Sequence, residues 1–117
     1  MSQYTESGVK TLVASAAIGA NLRVADNGSG KVELADASTL EIGVTSRPSF
    51  AADEDIPVRL RSAQGTVMMV AAGVVAAYAE VFAAAGGKCD DSGTVSLGHN
   101  MGGAATADGD IIEVLRS

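Results

Sequence analysis

Residues 74–98 read VVAAYAEVFAAAGGKCDDSGTVSLG, and the structure assigned to this stretch decides the fold. Alanine, glutamate and tyrosine at these spacings favour a helix on intrinsic propensity. Against that, Val74, Val75 and Val81 are β-branched, and Tyr78 and Phe82 are aromatic, the side chains that suit a half-buried strand. Downstream come Thr94-Val95-Ser96-Leu97-Gly98 and then Asp108-Gly109-Asp110-Ile111-Ile112-Glu113-Val114-Leu115, two further strand-like runs separated by glycine turns.

The same order of features occurs earlier, and internal repetition takes precedence over a local propensity reading. Leu22, Val24, Gly30, Lys31 and Val32 fall opposite Ala79, Val81, Gly87, Lys88 and Cys89. After a two-residue slip, Ile42, Gly43, Asp53, Asp55, Ile56, Val58 and Leu60 fall opposite Leu97, Gly98, Asp108, Asp110, Ile111, Glu113 and Leu115. Since Leu22 to Ala25 alternates as a strand should, the repeat predicts strand for Val74 to Ala85, with a short helix over Val74 to Ala79 as the alternative. Leu22 to Leu34 and Ala79 to Cys89 become two equivalent hairpins, the first turning at Asn27-Gly28-Ser29-Gly30 and the second at Ala85-Gly86-Gly87-Lys88, where glycine and asparagine accept positive φ cheaply.

The expected fold is all-β: a small barrel or sandwich of two similar hairpin-containing halves, with at most one short helix. Residues 1–20 form an N-terminal arm or lead-in strand, and residues 21–117 a single β domain. Leu40 to Ser46 is a strand halted by Pro48. Ile56 to Leu60 is another, which Pro57 assigns to an edge or to its first residues. Gly65 to Val70 is expected as a buried strand, with Arg59 and Arg61 pointing outward.

Composition limits the function classes. In 117 residues there are 14 glycines, no tryptophan and only 3% aromatic residues, so the core is built from Val, Ile, Leu, Met and Ala. Such a core is thin, and self-association is the expected compensation. The net charge of −6 argues against a nucleic-acid partner, which needs a basic face. No basic segment followed by an apolar one opens the chain, so a secretory signal is not expected. The uncharged run Gly65 to Ala79 stops at Glu80, too short to span a bilayer as a helix.

No constellation of reactive side chains is evident. His99 is the only histidine and Cys89 the only cysteine, too few for a metal site or a triad. Asp90-Asp91 and Asp108-Gly109-Asp110 lack the ligand spacing of a calcium loop and read as solvated turns. Gly86-Gly87-Lys88 lacks the rest of a phosphate-binding loop and reads as a hairpin turn. No enzyme activity and no cofactor is expected.

The segments VVAAYAEVFAAAGGKCDDSGTVSLG and AATADGDIIEVL resemble the small capsid decoration, or cement, proteins of tailed phages and prophages: a small-residue stretch, a strand, a GGK turn, an "LG" strand and a closing acidic-glycine turn before a terminal apolar strand. His99-Asn100-Met101-Gly102-Gly103 departs from that pattern, which would continue the strand with apolar residues. The resemblance implies a structural virion protein on the outer surface of an icosahedral head, bound to the major capsid protein. Together with the thin core it implies a homotrimer, with a dimer second; the shortness of the apolar run is what argues against a membrane partner. Ser2 to Val13 carries the expected capsid contacts, Tyr4, Val9, Thr11 and Val13, through strand addition to an edge of the coat protein. The alternative is a soluble β-barrel that binds a small ligand, which requires a pocket with aromatic lining.

Overall fold

The computed structural model describes residues 8–62 and 65–116. Their regular structure is almost entirely β. The strands are β1 (Val9–Val13), β2 (Arg23–Asp26), β3 (Val32–Leu34), β4 (Gly43–Thr45), β5 (Asp55–Leu60), β6 (Thr66–Val70), β7 (Glu80–Ala83), β8 (Cys89–Asp90), β9 (Ser96–Asn100) and β10 (Ile111–Arg116), with one 3-10 turn at Ala85–Gly87. They make two five-stranded antiparallel sheets, ordered β1-β5-β4-β2-β3 and β6-β10-β9-β7-β8. The second order is the first with each strand replaced by its counterpart five places on. The chain is two copies of one topology.

Each sheet rolls until its edge strands touch. A parallel bridge joins Ala14 to Val32 in the first half and Ala71 to Cys89 in the second, and an antiparallel bridge closes one end, Ile18 to Ser49 and Val75 to Ala105. The seam is held by one matching bond in each copy, Ser15 N–H to Val32 O and Ala72 N–H to Cys89 O. Inside lie two cores on equivalent positions. Ala14, Ile18, Val24, Val32, Ile56 and Val58 fill the first. Ala71, Val75, Val81, Cys89, Ile112 and Val114 fill the second, together with Val67, Met69, Ala83, Leu97, Ala105 and one visitor from the first half, Val44. With apolar side chains this small, each roll is narrow, and the glycines let its strands approach closely.

The predicted pair of equivalent hairpins is present as β2–β3 and β7–β8, closed by Asn27 N–H to Lys31 O and Ala84 N–H to Lys88 O. The match of Gly43 with Gly98 also holds and has a steric cause. A Cβ on Gly43 would lie 2.4 Å from Val58 Cγ1, and one on Gly98 2.0 Å from Leu115 O, because β4 and β9 cross β5 and β10 with no room for a side chain.

Beyond Gly98 the predicted register is off by one. The ladders place Val58 opposite Thr45 and Val114 opposite Asn100, so that Ile56 corresponds to Ile112 and Val58 to Val114. A one-residue slip exchanges the faces of a strand. The predicted pairing of Val58 with Glu113 would have set a core valine against a half-buried acid. The repeat is also longer than the trace found in the sequence, since β1 is the counterpart of β6 and belongs to the first sheet.

Further expectations are corrected or refined. Val74 to Ala79 is neither strand nor helix: Val75 makes only its isolated bridge to Ala105, Tyr78 has φ 63°, and the strand begins at Glu80. Pro57 is the third residue of β5, which lies between β1 and β4 and is not an edge strand, so only the second of the two expected placements fits. It is accommodated because its nitrogen faces the first position past the end of β4, where Ser46 N–H donates to Pro57 O and only the return bond is lost. The strand expected to be buried is an edge strand, Thr66–Val70, with Val67 and Met69 inside and Met68 outside; Arg59 lies on the outer face of β5, as expected, and both it and Arg61 are half-buried. The strand after Gly98 does continue, through His99 to Asn100.

Candidate interaction surface

Of the four residues expected to touch a coat protein, Tyr4 lies outside the described residues. Val9, Thr11 and Val13 share the outer face of β1, while Lys10 and Leu12 turn toward the first core. Main-chain bonding to β5 uses the even-numbered positions, as Ala14 N–H to Glu54 O and Leu60 N–H to Gly8 O show. The amides of the odd-numbered positions therefore face away from β5.

The residues screened for chemistry are dispersed. His99 is exposed on β9, paired across the ladder with Glu80 and Leu115. Asp110 accepts from Thr106 N–H at 2.8 Å, from the Thr106 hydroxyl and from Ala107 N–H, bonds that hold its carboxyl below the usual range. Asp108 pairs with Lys88 at 2.8 Å, and in the other half Lys31 pairs with Asp53, one position along from the counterpart of Asp108. Cys89 is buried, and burial pushes its thiol up to about 12, which leaves it protonated and unreactive. Among the described residues no group of three or more His, Cys, Asp or Glu could hold a metal ion, and no helix is long and apolar enough to cross a membrane.

What the surface offers instead is apolar area. On the outer face of the second sheet, Met68 (45% exposed), Ile111 (51%), Leu115 (44%) and Met101 (41%) form one patch with half-buried Val70. The ladder sets Ile111 beside Val70 and Leu115 beside Thr66 and His99, with Glu113 between the two methionines. The counterparts on the first half are Thr11, Asp55 and Arg59, so the patch is a property of one copy only. Phe50, 81% exposed, stands apart on a first-half turn. An open groove of about 430 Å³ between the halves is lined by Asn21, Val44, Thr45, Ser46, Arg59, Thr66, Val67 and Met68, with no aromatic side chain in its lining among the described residues.

The junction between the halves contains the residues that sequence reading missed. Arg23 is fully buried and donates across the boundary, from Nε to Lys88 O at 2.8 Å and from Nη2 to Ala84 O at 2.7 Å, as well as to Thr39 O and Asp36 O in its own half. Burial lowers its pKa and Glu41 opposes that shift. Glu41, also buried, faces Arg116 at 3.5 Å and Arg61 at 3.7 Å, and Arg116 donates to Leu60 O at 2.6 Å. The available signal was a mismatch within the repeat: Arg23 sits where the second copy has Glu80, so one of the two serves something outside the repeat unit. A scan against protein-family models matches none, and a search of curated proteins finds no match.

Proposed function

We propose that this chain is a structural protein that decorates the outer surface of an icosahedral phage head by binding the major capsid protein. The observation that carries this reading is the apolar patch of Met68, Met101, Ile111 and Leu115 on the outer face of the second sheet, with a single acid, Glu113, inside it. Exposed apolar area of this kind on a small acidic domain suits a broad protein partner better than a small molecule, which needs a concave site. The resemblance of the 74–98 and 104–115 segments to cement proteins names the partner. β1 supplies a second contact, with Val9 and Thr11 beside the coat protein.

Cosedimentation with emptied, expanded heads built from the coat protein encoded with this chain tests the reading. The chain should pellet with the heads at saturable stoichiometry, and the double variant Ile111→Glu/Leu115→Glu should pellet at least about tenfold less, as expected when charge replaces a buried interface centre. A wild-type chain that stays in the supernatant at every concentration overturns the assignment.

A further inference from the structure

The two halves meet head to tail, through different surfaces. The first half uses its outer face at β2 and β4: Asn21 O accepts from Val70 N–H, Ala35 O accepts from Gly87 N–H, Arg23 reaches Ala84 O and Lys88 O, and Val44 enters the second core. The second half uses its seam, where β6 parts from the β7–β8 turn. Gly87 shows how closely they fit, since a Cβ there would lie 2.8 Å from Arg23 O and 2.9 Å from a Leu34 methyl.

Because the halves share one topology, each has both surfaces, and one of each is left over. On the second half the outer-face counterparts of Asn21, Arg23 and Val44 are Tyr78, Glu80 and His99, all exposed. Tyr78 is 70% exposed and held at φ 63°, matching φ 60° at Asn21, and Tyr78 N–H donates to Asn100 O as Asn21 N–H donates to Thr45 O. The backbone is thus formed for the same contact. On the first half the seam counterparts of Val70, Gly87, Lys88 and Val67 are Val13, Gly30, Lys31 and Lys10. A Cβ on Gly30 would meet nothing within 4 Å, and the Val13 amide has no partner among the described residues.

We propose that copies of this chain associate head to tail, the outer face of the second half of one copy (Tyr78, Glu80, His99) seating on the seam of the first half of the next (Lys10, Val13, Asn27 to Lys31). Charge supports a second copy as the occupant. Glu80, on the strand that β8 with Asp90 flanks, meets Lys10 and the Lys31 that already pairs with Asp53, whereas within one chain the contact is made by an apolar pair, Val44 and Val67, and a buried arginine. Tyr78 O takes the Val13 amide, as Asn21 O takes that of Val70. A contact between unlike surfaces closes into a ring when its rotation permits, whereas like-with-like contact gives a two-fold dimer. The inference goes beyond the proposed function, takes up the self-association expected of so thin a core, and does not depend on capsid binding.

The test uses full-length chain without heads. Two differently tagged pools, one Tyr78→Cys and one Val13→Cys, are mixed and mildly oxidised. The expected product joins the two pools, with little cross-linking within either, and Asn27→Cys replaces Val13→Cys should the latter melt early. Light scattering should show an oligomer that Glu80→Lys or Lys10→Glu weakens at least about tenfold in dissociation constant, because each sets like charges together. Mixing the two charge variants should restore part of the loss. A wild-type chain that scatters as a monomer at all concentrations, or cross-links that form chiefly within one pool, overturns the proposal. Head binding with no self-association would leave the decoration reading standing and this one refuted.

Discussion

At the residue scale, the narrow rolls depend on positions where a side chain cannot fit and on one that cannot be removed. Gly98 is the clearest of the first kind, because β9 crosses β10 so closely that a methyl group would overlap Leu115 O and lie 2.8 Å from Arg116 Cα. Gly98→Ala should lower the unfolding free energy by about 2–3 kcal/mol, the upper part of the range for overpacking. Gly103→Ala, where a Cβ meets nothing within 4 Å, should change it by less than about 0.5 kcal/mol. Urea denaturation of the two variants checks the contrast, and equal midpoints would contradict the close crossing. Arg23 is of the second kind. It supplies buried carbonyls on both halves with donors that a lysine, with one ammonium and no planar fork, could not reach together.

At the scale of elements, the hairpins were legible because turn chemistry is local. Asn27 Oδ1 accepts from Ser29 N–H and Lys31 N–H, which is what asparagine at a turn does, and the Gly-Lys ending marks both copies. The exact register of the last strand was not legible. The extra residue lies among Met101 to Ala104, a loop whose composition does not record its length relative to Ser46-Arg47-Pro48. Pro57 left two placements open for a related reason, since the rule that proline avoids central strands concerns a lost bond, and here the neighbouring strand has already ended. The burial of Glu41 among Arg61 and Arg116 could not be read from sequence, because the three come together only when the halves meet. β1 raises a question of function at the same scale. Its ladder with β5 starts at Val9, so deleting Met1 to Ser7 leaves every pair of that ladder in place. If the N-terminal segment is an arm for the coat protein, the truncated chain should lose head binding while its melting temperature stays within about 2 °C, the shift a few tenths of a kcal/mol produces. Equal binding by both forms would refute the arm.

At the scale of the whole molecule, duplication followed by divergence explains why equivalent positions carry such different residues. One copy of each surface is consumed within the chain, where Val44, Val67 and Arg23 are buried; the other faces outward and carries Tyr78, Glu80 and His99 on one side and Lys10 and Lys31 on the other. Tyr78 is where the two demands conflict most. A left-handed backbone costs a non-glycine residue roughly 1–2 kcal/mol, and asparagine tolerates it better than a bulky aromatic does. The first half has asparagine there; the second keeps tyrosine, 70% exposed, so its ring gains almost nothing from the chain's own core. Strain kept at an exposed aromatic is accounted for when the ring is buried by something else. The substitution Tyr78→Asn, which copies Asn21 into the second half, should therefore separate stability from association. In dilute solution it should raise the unfolding free energy by about 1 kcal/mol, the relief available from leaving a disfavoured φ. At concentrations where the wild type self-associates, the same variant should shift toward monomer in light scattering, because the tyrosine anchor is gone. A variant less stable than wild type in dilute solution would mean that the ring packs within its own chain, and a variant that associates as tightly would mean that Tyr78 is not at the contact.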